Sequence, residues 1–131
     1  MGLCSPTDST LEGLPVFTAG YPMATGQCAN SPDFDGYRDG WMYTQNCKVA
    51  ESNLYPDEFG HDCTTNKGQS GSPIWVAECV SSSAVCAVGL HWGKIGTEAR
   101  AKRLDPDTVN YLRDAICNSG SEFAQPPSFC D

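Results

Sequence analysis

At 131 residues the chain is one domain's worth, long enough to bury a modest core. A formal net charge of -8 and a pI near 4.5 exclude electrostatic nucleic-acid binding, which needs clustered Lys and Arg, and no stretch approaches the ~20 apolar residues of a membrane-spanning helix. Eight cysteines, an even number in so short a chain, argue for disulfides in an oxidising compartment and hence for a secreted, extracellular protein.

Met1-Gly2-Leu3-Cys4-Ser5-Pro6 has neither a basic start nor an apolar run, so no signal peptide is expected here and a secretory leader would lie upstream or be removed. Gly2 does not make a myristoylation site, because the small residue comes one position late, at Thr7. Residues 16–20, Val-Phe-Thr-Ala-Gly, read as a strand ending in the Tyr21-Pro22 turn. A long Gly-, Pro- and Asp-rich loop follows over 23–40. Its acidic stretch, Asp33 to Gly40, lacks the distal glutamate and the spacing of an EF-hand and reads as a solvated turn. Residues 41–49 alternate as a second strand, and 74–77 and 84–90 are strands flanking a hairpin with a polar tip at 78–83. In Arg100-Ala101-Lys102-Arg103 the alternation of Ala99 and Ala101 with charged neighbours predicts a half-buried strand whose polar side faces water. Asp105 can cap a helix, Pro106 suits its first position, Val109, Leu112 and Ile116 share a face, and Asn118-Ser119-Gly120 stops it. The expected fold is all-β: a six-stranded antiparallel barrel over 16–104, closed by a helix at 107–117, with an extended tail.

The cysteines at 4, 28, 47, 63, 79, 86, 117 and 130 are scattered without paired C-x-x-C spacings, so neither a zinc module nor a cofactor is expected. Spacing does not fix connectivity. The expected pairs are Cys47 with Cys63 across neighbouring strands, Cys79 with Cys86 across a hairpin, and Cys117 with Cys130 tethering the tail, leaving Cys4 and Cys28 to pair together or with a partner segment.

Gly68-Gln69-Ser70-Gly71-Ser72-Pro73, leading into Ile74-Trp75-Val76, carries the chemistry. Glycines on both sides of Ser70 let the backbone fold so that the amides of Gly68 and Ser70 converge beside its hydroxyl, where an oxyanion would form. Alone, a G-x-S-G serine is a turn residue. A nucleophile needs a base and an orienting carboxylate, and neither His61, nine residues upstream, nor His91, in Gly89-Leu90-His91-Trp92-Gly93, sits where the base belongs. The G-x-S-x-G elbow of α/β-hydrolases is not matched, since Ser72 and Pro73 follow and no apolar helix does.

The run from Asp62-Cys63-Thr64-Thr65-Asn66-Lys67 into the glycine-serine hexapeptide, with Gly89-Leu90-His91-Trp92-Gly93 downstream, resembles the glutamyl endopeptidases of the chymotrypsin fold. Phe17-Thr18-Ala19-Gly20-Tyr21-Pro22 resembles the opening of their second β-barrel, and Ala99-Arg100-Ala101 through Asp107-Thr108-Val109-Asn110-Tyr111-Leu112 resembles their last strand and closing helix. The likeness spans about 13–117 and covers half of such an enzyme. It implies a Greek-key second barrel with closing helix at 16–117, a linker from a missing first barrel at 1–15, and a disulfide-tethered tail at 118–131. It also implies Ser70 as nucleophile with Gly68 in the oxyanion hole, and Thr65, His91, Trp92 and Gly93 as the substrate pocket, with Thr65 and His91 receiving a glutamate carboxylate. The catalytic His and Asp would come from a first-barrel segment or chain, the partner this reading requires besides a peptide substrate. Lys94 stands where the family carries a small residue, and Gln69 replaces the aspartate that trypsin-type enzymes use for activation. The competing readings are a non-catalytic module that kept the fold, and His91 and Thr65 as packing residues of the barrel.

Overall fold

The computed structural model describes residues 2–22, 41–77 and 85–118. In chain order they form β1 (Gly2–Leu3), α1 (Asp8–Leu11), β2 (Pro15–Gly20), β3 (Tyr43–Leu54), β4 (Glu58–His61), β5 (Pro73–Val76), β6 (Cys86–Ile95), β7 (Glu98–Arg103) and α2 (Pro106–Cys117). The strands β2 to β7 close on themselves in the order β6-β5-β2-β3-β4-β7, with β7 pairing back onto β6, and every one of these pairings is antiparallel. This is the expected six-stranded barrel with its C-terminal helix. Two residues of β1 add a parallel pairing on β6.

Alternation decides which residues face inward. In β2, Val16, Thr18 and Gly20 are buried while their neighbours are not, the period-2 pattern of a strand with one face on a core. β3 reaches past its sequence-expected end because it changes partner: 43–48 pair with β2, and Val49 and Leu54 pair with β4 through an irregular register. The interior holds Leu11, Val16, Val49, Phe59, Ile74, Val76, Val88 and Ala101. Outside the barrel wall, Val109 and Leu112 of α2 pack with Ala87, Leu104 and Leu90. The helix starts where its signals place it: the Asp105 carboxylate accepts from the Thr108 amide at 2.7 Å, which holds its pKa down, and Pro106 follows.

Residues 1–15 were expected as a linker. They carry β1 and α1, and Leu11 is fully buried in the core. What ties them down is Arg103, whose guanidinium donates to the Pro6 carbonyl at 2.6 Å, to the Tyr55 carbonyl at 3.2 Å and to the Asp8 carboxylate. The expectation that the charged side of β7 faces water is therefore corrected for two of its cations. Arg103 is buried, and so is Arg100, which sits 3.0 Å from Glu58, 2.8 Å from Glu98 and over the Tyr55 ring. Buried cations persist because anions and carbonyls from distant segments replace their water.

Cys47 and Cys63 form the expected disulfide, with Cα atoms 5.0 Å apart. Cys86 and Cys117 are disulfide-bonded as well; Cys79 and Cys130, their expected partners, lie outside the described residues, as do Cys28, the acidic stretch at 33–40, the hairpin tip at 78–83 and the tail from 119 on. Cys4 is the free cysteine among the described residues.

Gly89 is a tight point of the wall that meets a ring and a backbone carbonyl. A β-carbon there would stand 2.7 Å from the Phe59 ring and 2.9 Å from the Lys102 carbonyl, and Phe59 is itself fully buried. Gly89→Ala should destabilise the fold by about 1–3 kcal/mol, read as a lowered urea midpoint with unchanged slope; a variant as stable as the parent would show that the wall yields freely.

Candidate active site

The segment 62–72 crosses from β4 to β5, and its near end is stitched to β3. The Asp62 amide donates to the Lys48 carbonyl at 3.0 Å, and the Lys48 amide donates to Asp62 Oδ1 at 2.6 Å. The Thr64 amide donates to Gln45 Oε1 at 2.9 Å, and the Gln45 side-chain amide donates back to the Thr64 carbonyl. With the Cys47–Cys63 bond between these contacts, the path into the serine turn has little freedom.

The turn is built by Gln69 and two glycines. Gln69 is 1% exposed; its Oε1 accepts from the Asn66 amide at 2.7 Å while its own amide donates to the Asn66 carbonyl at 3.2 Å. Where an aspartate would have sought an ion pair, the glutamine closes its own loop. Gly68 and Gly71 take φ of 94° and 89°, a left-handed backbone that side chains disfavour. The far end is pinned to β6, where the Gly71 amide donates to the His91 carbonyl at 2.7 Å and the His91 amide to the Ser72 carbonyl at 2.8 Å. On the other side Gly20 leaves room for Ser72 and Gln69 against β2.

Ser70 is exposed at the crest of this turn. Its hydroxyl donates to the Trp92 carbonyl at 3.2 Å, and among the described residues no imidazole is hydrogen-bonded to it. Among the described residues the Gly68 and Ser70 amides donate no backbone hydrogen bond. A cavity of about 260 Å³ opens there, bordered by Gly68, Ser70, Gly20 and Tyr21. Ser70 is thus bonded directly to Trp92, and His91 is bonded through its backbone to the neighbouring Gly71 and Ser72. Trp92 is exposed, Gly93 half-buried, and Thr65 is 2% exposed with a hydroxyl that has no protein partner.

The two histidines face each other rather than the serine. His61 Nε2 and His91 Nδ1 are 3.1 Å apart with rings at 75°, and both residues are buried. Burial pushes the His61 pKa down to about 4, with His91 and Lys94 acting in the same direction and Asp62 opposing. His91 is also lowered, mainly by burial, with a hydrogen bond to the Arg100 backbone opposing and Lys94 adding to the depression. Both rings are neutral at pH 7, so one donates to the other. We assign the proton to His61 Nε2, because His61 Nδ1 is buried without a partner and an unpaired acceptor there avoids a buried, unpaired N–H. This pairing was not read from the sequence, although Phe59-Gly60-His61-Asp62-Cys63 carries the period-2 alternation that turns His61 and Cys63 inward with Phe59.

Lys94, expected either to charge the pocket or to block it, is exposed and lines a second cavity, of about 210 Å³, with His61, Asp62, Cys63 and Thr64. No helix among the described residues is long and apolar enough to cross a membrane. Compared with protein-family models and with curated proteins, the chain matches none.

Because His61 has a folded pKa near 4 against an ordinary value of 6.5, the unfolded chain binds the proton first as pH falls. The stability contributed by the neutral ring is complete above pH 6.5 and is lost between 6.5 and about 4. The loss should reach about 3 kcal/mol at most and should be blunted in His61→Leu; denaturant midpoints recorded against pH that fall equally steeply in both proteins would refute it.

Proposed function

We propose that this chain is the nucleophile-bearing half of a secreted serine endopeptidase resembling the glutamyl endopeptidases, working with a first-barrel segment or chain that brings the catalytic His and Asp. The observation that carries the reading is an exposed serine on a turn made by two left-handed glycines, beside two backbone amides with no backbone acceptor. A closed antiparallel barrel with a terminal helix is compatible with it.

In this reading the Ser70 oxygen attacks the scissile carbonyl carbon as its proton passes to the partner's imidazole. The oxyanion takes hydrogen bonds from the Gly68 and Ser70 amides. The imidazolium then gives its proton to the leaving amine, and water releases the acyl group by the same route in reverse. Among the described residues none is hydrogen-bonded to Ser70 as a base: the two imidazoles are committed to each other, and the Ser70 hydroxyl rests on the Trp92 carbonyl. That last contact is also what favours the second reading, a protease-fold module with a binding or structural role in an extracellular assembly.

Preference for glutamate at the cleaved bond, with aspartate second, is supported by the unpartnered Thr65 hydroxyl, by the His91 ring and by the positive charge of Lys94 near both histidines. A hydroxyl and an imidazole N–H both donate to a carboxylate.

The isolated chain should leave a fluorophosphonate probe unreacted, whereas the complex with its first barrel should be labelled at Ser70 and lose labelling in Ser70→Ala. Stoichiometric labelling of the isolated chain would overturn the shared-site reading, and an unreactive complex would favour the non-catalytic module. A peptide-library digest by the complex should show cleavage after Glu that weakens at least ~10-fold in His91→Ala, the scale of one lost hydrogen bond to a charge; cleavage chiefly after Lys, Arg or large apolar residues would eliminate the glutamate pocket.

A further inference from the structure

We infer that reduction of the Cys47–Cys63 disulfide converts the floor beside β3 and β4 into a site for a thiophilic divalent cation, Zn²⁺ above all, held by Cys47, Cys63 and His61. Register places the three together. Val49 pairs with His61 across β3 and β4, so two residues further along each strand Cys47 stands opposite Cys63, and His61 precedes Cys63 by two residues on the same inward face. Their donor atoms all lie within 4.8 Å of one another, and once the S–S bond is broken, side-chain rotations that part the two sulfurs and draw in the imidazole give tetrahedral zinc geometry.

A second, independent feature points to a ligand. His61 is 2% exposed, its Nε2 is taken by His91, and its Nδ1 has no hydrogen-bond partner among the described residues. A buried imidazole nitrogen left bare carries a desolvation cost that a metal would remove. His91 then stands behind it as the hydrogen-bond acceptor that fixes the ring of a ligating histidine. The 210 Å³ cavity bordering His61 and Cys63 has ample room for a water in the fourth position.

The chemistry balances. A dithiol reductant breaks the S–S bond, becomes its own cyclic disulfide, and leaves two thiols on the protein. Zn²⁺ displaces both thiol protons to solvent, and two thiolates with one neutral imidazole give an uncharged complex. Disulfide and metal exclude each other, since each needs both sulfurs. This inference does not depend on the catalytic reading.

The test uses the full chain, reduced with a dithiol, desalted without oxygen and titrated with Zn²⁺ and with Co²⁺ as a spectroscopic substitute. Oxidised protein should bind neither. Reduced protein should bind one equivalent tightly, with the intense visible bands of tetrahedral, thiolate-ligated cobalt, while its near-ultraviolet dichroism shows a folded barrel. Affinity for that equivalent should fall at least ~100-fold in Cys47→Ser and in His61→Ala, beyond the 10–100-fold typical of losing an outer-shell partner, and should persist in Cys86→Ser. Since reduction already removes the cross-link, Cys47→Ser adds no further loss of it. Binding that survives Cys47→Ser, that disappears equally in Cys86→Ser, or that occurs only in reduced protein lacking the folded dichroism would each overturn the site, as would failure of the reduced chain to bind an equivalent at all.

Discussion

Strand β6 is hydrogen-bonded on both sides, to β5 through Pro73 to Val76 and to β7 through Glu98 to Arg103, and the remainder of the architecture depends on that double pairing. It closes the sheet, so no long strand edge is left to satisfy its amides in water or against another chain. It also places the serine turn. The His91 backbone spends both its carbonyl and its amide on residues 71 and 72, so β6 and the loop that presents Ser70 are one hydrogen-bonded unit. A change in the packing of β6, at Gly89 for instance, propagates directly to the turn.

Polar burial is the second constraint, and the barrel meets it in two different ways. Arg100 and Arg103 remain charged because Glu58, Glu98, Asp8 and two carbonyls reach them from other elements. The histidines remain neutral because burial outweighs the influences that would keep a proton on them, Asp62 at His61 and the hydrogen bond to the Arg100 backbone at His91. Asp62 is itself engaged by the Lys48 amide. The imidazole pair is therefore a fixed dipolar element behind the serine turn. It is not a source of protons at neutral pH.

Much of the barrel was legible because local chemistry and tertiary demand coincide. Val16 to Gly20, Ile74 to Val76 and 84–90 alternate or run apolar, and Asp105-Pro106 caps a helix with no help from elsewhere. β4 was missed. It has four residues, one of them Gly60, and is a strand because β3 and β7 flank it. The end of β3 at Ala50-Glu51-Ser52-Asn53 has no apolar period and is held extended by its exchange of partners. The buried arginines were misjudged for a related reason: the groups that neutralise Arg103 lie 48 and 95 residues away in the chain, and nothing near β7 announces them. At the site, the glycine turn was readable since positive φ needs glycine. The His61–His91 pair, separated by 30 residues, is created by β4 and β6 flanking β7 in the closed wall, which no local pattern reports.

His61 joins the two proposals physically. One nitrogen touches His91, whose backbone holds the serine turn, the other has no partner among the described residues, and the ring stands close to the Cys47 and Cys63 sulfurs. A disulfide leaves that nitrogen empty, at the expense of one buried group unpaired among the described residues. A metal ion would lock the proton onto Nε2 and make His61 a stronger donor to His91. His91 would then be fixed as acceptor at Nδ1, with its remaining proton on Nε2, the nitrogen left to serve a substrate carboxylate or the Arg100 backbone. A metal on the two sulfurs would thus reinforce the hydrogen-bonding polarity that the His61–His91 pair already has, and the carrier is a single buried ring with two inequivalent nitrogens.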